Sequence, residues 1–437
     1  MDQHVQIPVD DRVHKAEIRL IEYFSANVEI YTNSFKNPSV DTYFHKSVIK
    51  MRKVAIIGCG LSKFGEHWES GFRDLVVQAG VRAISDAKLG GEEIDAGYVG
   101  TMASGRFIGQ EHIGALLADQ MGLTPKPITR VEGACASGAL ALRQGFMAVA
   151  SGMHDIVVVG GVEKMTDLGG DLVSDVLGGA GDQEWELFLG ATFPGLYALM
   201  ARRHMNDFGT TSEMLASVAV KNHQFGAKNE YAQYQKEISI ETVLDSKMVA
   251  SPLHVFDCSP VTDGAAALVL APLDFAKKHV EKPIEIVASA QASDYLALHS
   301  RSTITGLNAT KLAAKKAYEM ANVSAKDIDV AEVHDCFTIA EIMAIEDLGF
   351  FEKGKGGKAT LDGKTNKGGE IVINTSGGLK SCGHPVGATG VKQAVEVAWQ
   401  LRGDAGQRQI KDIELGLSHN VGGSGATAVV HLYKRAY

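Results

Sequence analysis

The strongest constraint on the fold is that the chain writes one plan twice. "KVAIIG" (53–58) is answered by "IEIVASA" (284–290), and "EEIDAGYVG" (92–100) by "KDIDVAEVH" (326–334). "CASGALA" (135–141) is answered by "HPVGATG" (384–390), and "DGAAALVL" (263–270) by "SGATAVVHL" (424–432). Four correspondences in the same order predict an internal duplication. Within each copy, short β-branched runs alternate with long Ala-rich helical stretches. That alternation predicts an α/β architecture whose strands are buried on both faces under helices.

The duplication divides the chain. Residues 51–170 with 251–280 form the first half, and residues 281–437 the second. Residues 171–250 have no partner in the second half, and are too long for a linker, so they predict an inserted helical subdomain over a ligand site. Residues 1–50, with mixed charge, several aromatics and few glycines, read as a dispensable extension or as an arm for a partner. They lack the apolar core of a signal peptide and the Arg-rich, acid-poor pattern of a presequence.

A net charge of −9 argues against nucleic acid or a membrane surface as the main partner. The longest apolar runs are strand-length, so no bilayer span is expected. Five scattered cysteines without a C-x-x-C pair suggest neither a zinc ribbon nor a disulfide scaffold, and fit a reducing cytoplasm.

Reactive residues of an α/β fold gather where strands end and helices begin. Cys135 sits between the strand-like "KPITRVEGA" and a long helical pattern, among Gly, Ala and Ser that leave room for an acyl group. A helix N-terminus there favours a thiolate. His384 holds the corresponding place in the second half, so a pseudo-twofold axis would bring a nucleophile and a base to one centre. "HDCF" (334–337) sets His334 and Cys336 just past a strand. "LSHNVGGSG" (417–425) offers backbone N–H donors for an oxyanion, its alternative being a plain turn between core strands.

Together, "GACASGALAL", "HDCF", "GGLKSCGHPVGATG" (377–390), "HNVGG" and "DCSPVTDGAAALVL" (257–270) resemble the thiolase superfamily over residues 53–435. The resemblance implies a five-layered α-β-α-β-α sandwich of two duplicated halves with an inserted loop domain. Many thiolases carry "NEAF" where this chain has "HDCF", and a C-terminal C-x-G where this chain has "SHNVGG". Both departures resemble the sterol-carrier-protein type and the archaeal thiolases.

That resemblance makes Cys135 the acyl-accepting nucleophile and His384 its base. Cys336 becomes the proton-transfer group, with Cys382 a spare candidate, and His334 a holder of the thioester oxygen. His419, Asn420, Val421 and Gly422 become the substrate-binding C-terminal loop, where an N–H near Val421–Gly422 joins that of Cys135 around the oxyanion. It implies ping-pong condensation of two acetyl-CoA to acetoacetyl-CoA and CoA, with CoA thioesters as substrates and neither a metal nor a bound cofactor. The archaeal likeness implies isoprenoid synthesis through the mevalonate route. It also implies a homodimer or homotetramer, and coupling to hydroxymethylglutaryl-CoA synthase through a zinc-bearing OB-fold protein. Alternatives are a 3-ketoacyl-CoA thiolase for longer chains, a decarboxylating ketoacyl synthase, and a non-enzymatic lipid carrier or scaffold. Cys336 speaks against the synthase, which needs no second cysteine. Arg202, Arg203, Lys221 and Lys228 of the insertion are candidates for the ADP end of CoA, or simply solvated helix faces.

Overall fold

The duplicated strand runs take equivalent places, counted outward from the centre, in one ten-stranded sheet of the computed structural model, which describes residues 51–437. The expectations for residues 1–50 lie outside the described residues. In chain order come β1 (Val54–Leu61), α1 (Phe72–Asp86), β2 (Ala96–Gly100), β3 (Ile128–Val131), α2 (Ser137–Ser151) and β4 (Val157–Glu163). Then follow α3 (Gly170–Gly178), α4 (Phe193–Phe208), α5 (Ser212–Gly226) and β5 (Gly264–Pro272). The second copy supplies β6 (Ile284–Ser293), α6 (Asn308–Ala321), β7 (Val330–Glu332) and α7 (Thr338–Asp347). It ends with β8 (Val372–Ile373), α8 (Gly378–Cys382), α9 (Thr389–Arg402), β9 (Leu415–Gly422) and β10 (Thr427–Arg435).

The ten strands run in the order β8-β7-β9-β10-β6-β1-β5-β4-β2-β3. Read outward from the centre, both halves follow one scheme. Two antiparallel strands come first, then three parallel ones. The copies join where β1 pairs antiparallel with β6 through Val54–Ile286, Ala55–Glu285 and Ile56–Ile284. Three of the four predicted correspondences therefore fall on equivalent strands, β1 with β6, β2 with β7 and β5 with β10, and the fourth falls at the approaches to α2 and α9.

Strand alternation sorts the side chains into layers. Ala55 and Ile57 of β1 pack with Leu75, Ala79 and Ala83 of α1 on one face. Val54 and Ile56 join Leu142 and Phe146 of α2 with Val391 and Val395 of α9 on the other, and Ile284 and Ile286 of β6 meet the same cluster. Beyond β6 and β10, α6 presents Ala313, Ala314 and Ala317. The sequence of layers is α1, half-sheet, α2 with α9, half-sheet, α6, as the resemblance implies.

The two central helices meet backbone to backbone. A Cβ on Gly138 would stand 2.6 Å from the carbonyl oxygen of Gly387, and one on Gly390 would stand 2.2 Å from the amide nitrogen of Ala139. Only glycine permits that approach. Gly138→Ala is expected to lower stability by about 1–3 kcal/mol, the usual cost of overpacking, read as a lower urea midpoint at unchanged slope.

Between β4 and β5 the chain makes α3, α4 and α5, whereas β9 and β10 are joined by the turn 423–426 alone. Pro at the first turn and a Thr192 cap fix the start of α4, and Thr211 caps α5. Among the described residues no helix is long and apolar enough to cross a membrane.

Candidate active site

Cys135 stands in the short 3₁₀ turn Ala134–Ala136, one residue pair before α2 begins. The Ser137 hydroxyl closes that turn, donating to the Ala134 carbonyl (2.6 Å) and accepting from the Gly133 amide (3.0 Å). Ala134 is held at φ +52°, a left-handed conformation that costs an L-residue about 1–3 kcal/mol. The chain accepts this strain to turn the cysteine toward the cavity.

Two expectations change here. The helix N-terminus does not make Cys135 a resting thiolate: burial dominates and pushes the thiol up to about 12, against the N–H groups of Gly423 and of Cys135 itself. His384 is not at a helix start either, because α9 begins only at Thr389. Pro385, with no N–H to give, and Gly387 separate the two.

The sulfur of Cys135 and one ring nitrogen each of His334 and His384 lie within 4.8 Å of one another. The two imidazoles meet edge to face, with centroids 5.1 Å apart. Their outer nitrogens are taken. His384 Nδ1 lies 2.7 Å from the Thr389 hydroxyl, whose single hydrogen goes to the Pro385 carbonyl at 3.0 Å. Nδ1 must then donate, and Nε2 carries the lone pair. His334 Nδ1 accepts from the Asn420 amide at 3.0 Å, so its proton sits on Nε2. Both Nε2 atoms are buried without a protein partner. One free nitrogen is thus a base and the other a donor.

Burial drives His384 down to about 3 and His334 well below its ordinary value, with Lys392 repelling a proton on either ring. Both histidines are neutral at physiological pH. The same three donors could grip a soft divalent cation, being a thiol and two imidazoles at suitable spacing. Their tautomers equally suit proton transfer and oxyanion binding.

Thr389→Val removes the acceptor that fixes the His384 tautomer. Catalytic efficiency is expected to fall roughly tenfold, the effect of one lost partner of a buried donor, with the thermal midpoint nearly unchanged.

Cys336 lies in the loop between β7 and α7, and lines one cavity with Cys135, His384, Tyr197 and Gly423. Asp335 anchors that loop by accepting from the amides of Leu379 (2.7 Å) and Lys380 (3.2 Å) and from Asn222 (2.7 Å). Glu163 at the end of β4 does the same for the His384 loop. It accepts from Met102 (2.8 Å), Thr101 (2.9 Å) and Gly387 (3.1 Å), the last from the other half.

The C-terminal loop corrects three assignments. Along β9, Asn420 and Gly422 face the central helices, and Gly422 packs against the Gly133 carbonyl. His419 and Val421 face the opposite way. His419 bonds Thr310 of α6 at 2.8 Å, and Val421 is in the outer core. The N–H beside the Cys135 sulfur belongs to Gly423, not to Val421 or Gly422.

Cys382 is fully buried beside Asn229 and does not line the cavity. Lys221 is buried against Glu341 (2.8 Å) and the Ile373 carbonyl (2.8 Å), which removes it as a phosphate ligand. Arg203 is exposed and paired with Asp207, Arg202 reaches Ser251, and Lys228 is exposed.

Sequence reasoning missed Tyr197. It lies on α4 in the insertion, is buried, and its hydroxyl donates to the Gly423 carbonyl at 3.0 Å. Its only signal was a tyrosine on the buried face of a helical pattern.

Comparison with known proteins agrees with this geometry. Residues 54–274 match the family model for the thiolase N-terminal domain, and residues 290–435 the thiolase C-terminal domain-like model. The acetyl-CoA acetyltransferase of Methanothermobacter thermautotrophicus is 55% identical over 385 residues, 88% of this chain and the whole of that protein. Sterol carrier protein 2 of Oryctolagus cuniculus is 35% identical over 90% of this chain and 74% of its own length. Among solved structures, an Ltp2-ChsH2(DUF35) aldolase aligns with a TM-score of 0.76 at 27% identity, covering 88% of this chain and 98% of that one.

Proposed function

The chain belongs to the thiolase family of acyltransferases, and from that premise we propose that it is an acetyl-CoA C-acetyltransferase, joining two acetyl-CoA into acetoacetyl-CoA and CoA. The observation that carries the reading is the convergence of Cys135, His334 and His384 within 4.8 Å, with Cys336 in the same cavity. His384 takes the Cys135 proton as the sulfur attacks the first thioester, and the S-acetyl enzyme forms. The departing CoA thiolate takes the Cys336 proton and leaves as CoA. Cys336, now a thiolate, removes a proton from the methyl group of the second acetyl-CoA, and His334 Nε2–H holds the enolate oxygen. The carbanion attacks the acetyl-cysteine, acetoacetyl-CoA departs, and His384 returns its proton to Cys135. All protons balance.

The 55% identity to an acetyl-CoA acetyltransferase supports the acetyl substrate. Val173, Leu177 and Phe193 give the cavity an apolar wall, which favours longer 3-ketoacyl chains as the second reading. Cytoplasmic condensation at the start of the mevalonate route to isoprenoids fits the archaeal relative. Passing the product to hydroxymethylglutaryl-CoA synthase through a zinc-bearing OB-fold protein is the coupling that the archaeal likeness implies. β3, half-exposed at the sheet edge, suits pairing with a second copy in a homodimer or homotetramer.

Incubation with acetoacetyl-CoA, CoA and malonyl-CoA in turn tests the reading. Acetyl-CoA formed only when CoA is present supports it. Carbon dioxide from malonyl-CoA overturns it in favour of a decarboxylating synthase.

A further inference from the structure

Tyr197 is buried to 1% exposure with its hydroxyl in the reaction cavity, yet the chemistry above gives it no part. Its ring stacks on Phe337, the residue after Cys336, at 4.5 Å between centroids and 27° between planes. Its hydroxyl lies beside the Cys336 sulfur and donates to the carbonyl of Gly423, whose own N–H reaches Cys135. One phenol thus touches the supports of both cysteines.

We propose that Tyr197 is the positioning residue for the proton-transfer step: its O–H hydrogen turns from the Gly423 carbonyl to Cys336 when that sulfur is a thiolate, and turns back when the thiol re-forms. This inference rests on the proposed condensation and adds a member to its site. No bond to hydrogen is broken in Tyr197 itself, since the proton that Cys336 loses goes to departing CoA and the one it gains comes from the methyl group of acetyl-CoA.

The need for such a donor follows from the surroundings. Burial raises the Cys336 thiol well above its ordinary value, and Cys135 and Asp335 raise it further. The Tyr197 hydroxyl is the strongest influence in the opposite direction. A buried thiolate without a donor is costly. Tyr197 from α4, Cys135 from the turn before α2, Cys258 from the segment before β5, Asp335 from the same loop and His384 before α9 are the titratable groups that face Cys336 or share its cavity. While Cys336 is a thiolate, His384 holds the Cys135 proton and its charge adds to the stabilisation, but the phenol is the side-chain hydrogen-bond donor beside the Cys336 sulfur.

The test uses the full chain and Tyr197→Phe, which keeps the ring on Phe337. Deuterium exchange into the methyl group of acetyl-CoA is expected to slow roughly ten- to hundredfold, the effect of one hydrogen bond to a charged group. Transfer of the acetyl label to Cys135 should change far less, so the ratio of the two rates falls. An activity-independent measurement protects against misfolding. In a Cys135→Ala background, iodoacetamide labelling of Cys336 is followed against pH by peptide mapping. Tyr197→Phe should move the midpoint of that profile upward by about one unit or more. An unchanged midpoint together with an unchanged exchange-to-transfer ratio overturns the role of Tyr197. Failure of the wild-type protein to label Cys135 or to exchange deuterium would instead overturn the condensation itself.

Discussion

The Cys135→Ala protein is expected to take up no acetyl label from acetyl-CoA, and to lose both cleavage and condensation of acetoacetyl-CoA by a factor of roughly 10⁴ or more. In the proposed condensation the covalent intermediate forms at this sulfur, and the other cavity cysteines, Cys258 and Cys336, lack its pair of flanking N–H groups and its base. Liquid chromatography and mass spectrometry of the acetylated peptide decide the matter. A label retained elsewhere, with normal turnover, would remove Cys135 from its role.

The same residue has a pH signature with a definite sign. With the thiol near 12 and His384 near 3, the resting pair is neutral rather than a thiolate with an imidazolium. The base is lost only when pH falls through the low value of His384. Catalytic efficiency should therefore stay flat across roughly pH 5 to 9 if these groups govern it. Alkylation of Cys135 in the free enzyme should keep rising with pH instead of reaching a plateau near neutrality. A plateau below pH 7 would mean that a preformed ion pair exists.

The second large effect is expected at Cys336. Cys336→Ala should still accept acetyl on Cys135, because in the proposed condensation His384 is the base for that sulfur. Condensation and methyl-proton exchange should fall by roughly 10²–10⁴, the range of a general acid–base group. A rapid-quench measurement separates the two half-reactions. Condensation at the wild-type rate would show that the proton leaves through another group, and the cavity places His384 and Tyr197 next in line.

Much of this is legible in the amino-acid sequence. The strand equivalences were visible because a duplicated fold repeats its apolar runs and glycines in order, and β1 with β6, or β5 with β10, preserve them. Cys135, His334, His384 and Cys336 were found together because each stands in a motif of small or polar residues that a core would not choose. What was hidden depended on direction and depth. Whether His419 faces the cavity or α6 turns on the phase of one strand, and the motif carries no phase. The thiol of Cys135 looked like a helix-start thiolate because local sequence shows the helix, while the burial that outweighs it comes from α3, α4 and the second half. Lys221 looked like a solvent cation until Glu341 closed over it. Tyr197 was out of reach because its partner, Gly423, is 226 residues away.

The glycine crossing of α2 and α9 gives the site an unusual kind of tolerance. Most catalytic distances are set by side chains, which can shift by a rotamer when a neighbour changes. Here the loops bearing Cys135 and His384 hang from two rods that touch main chain to main chain, at Gly138 against Val391 and Gly390 against Ala139, with the Gly387 carbonyl of the His384 loop also on Gly138. Such a joint has no soft part to compress. Substitutions in either outer layer should then erode stability well before they alter the thiol–imidazole spacing. Drift at the periphery and fidelity at the centre become separable, and the twofold crossing acts as the molecule's gauge block.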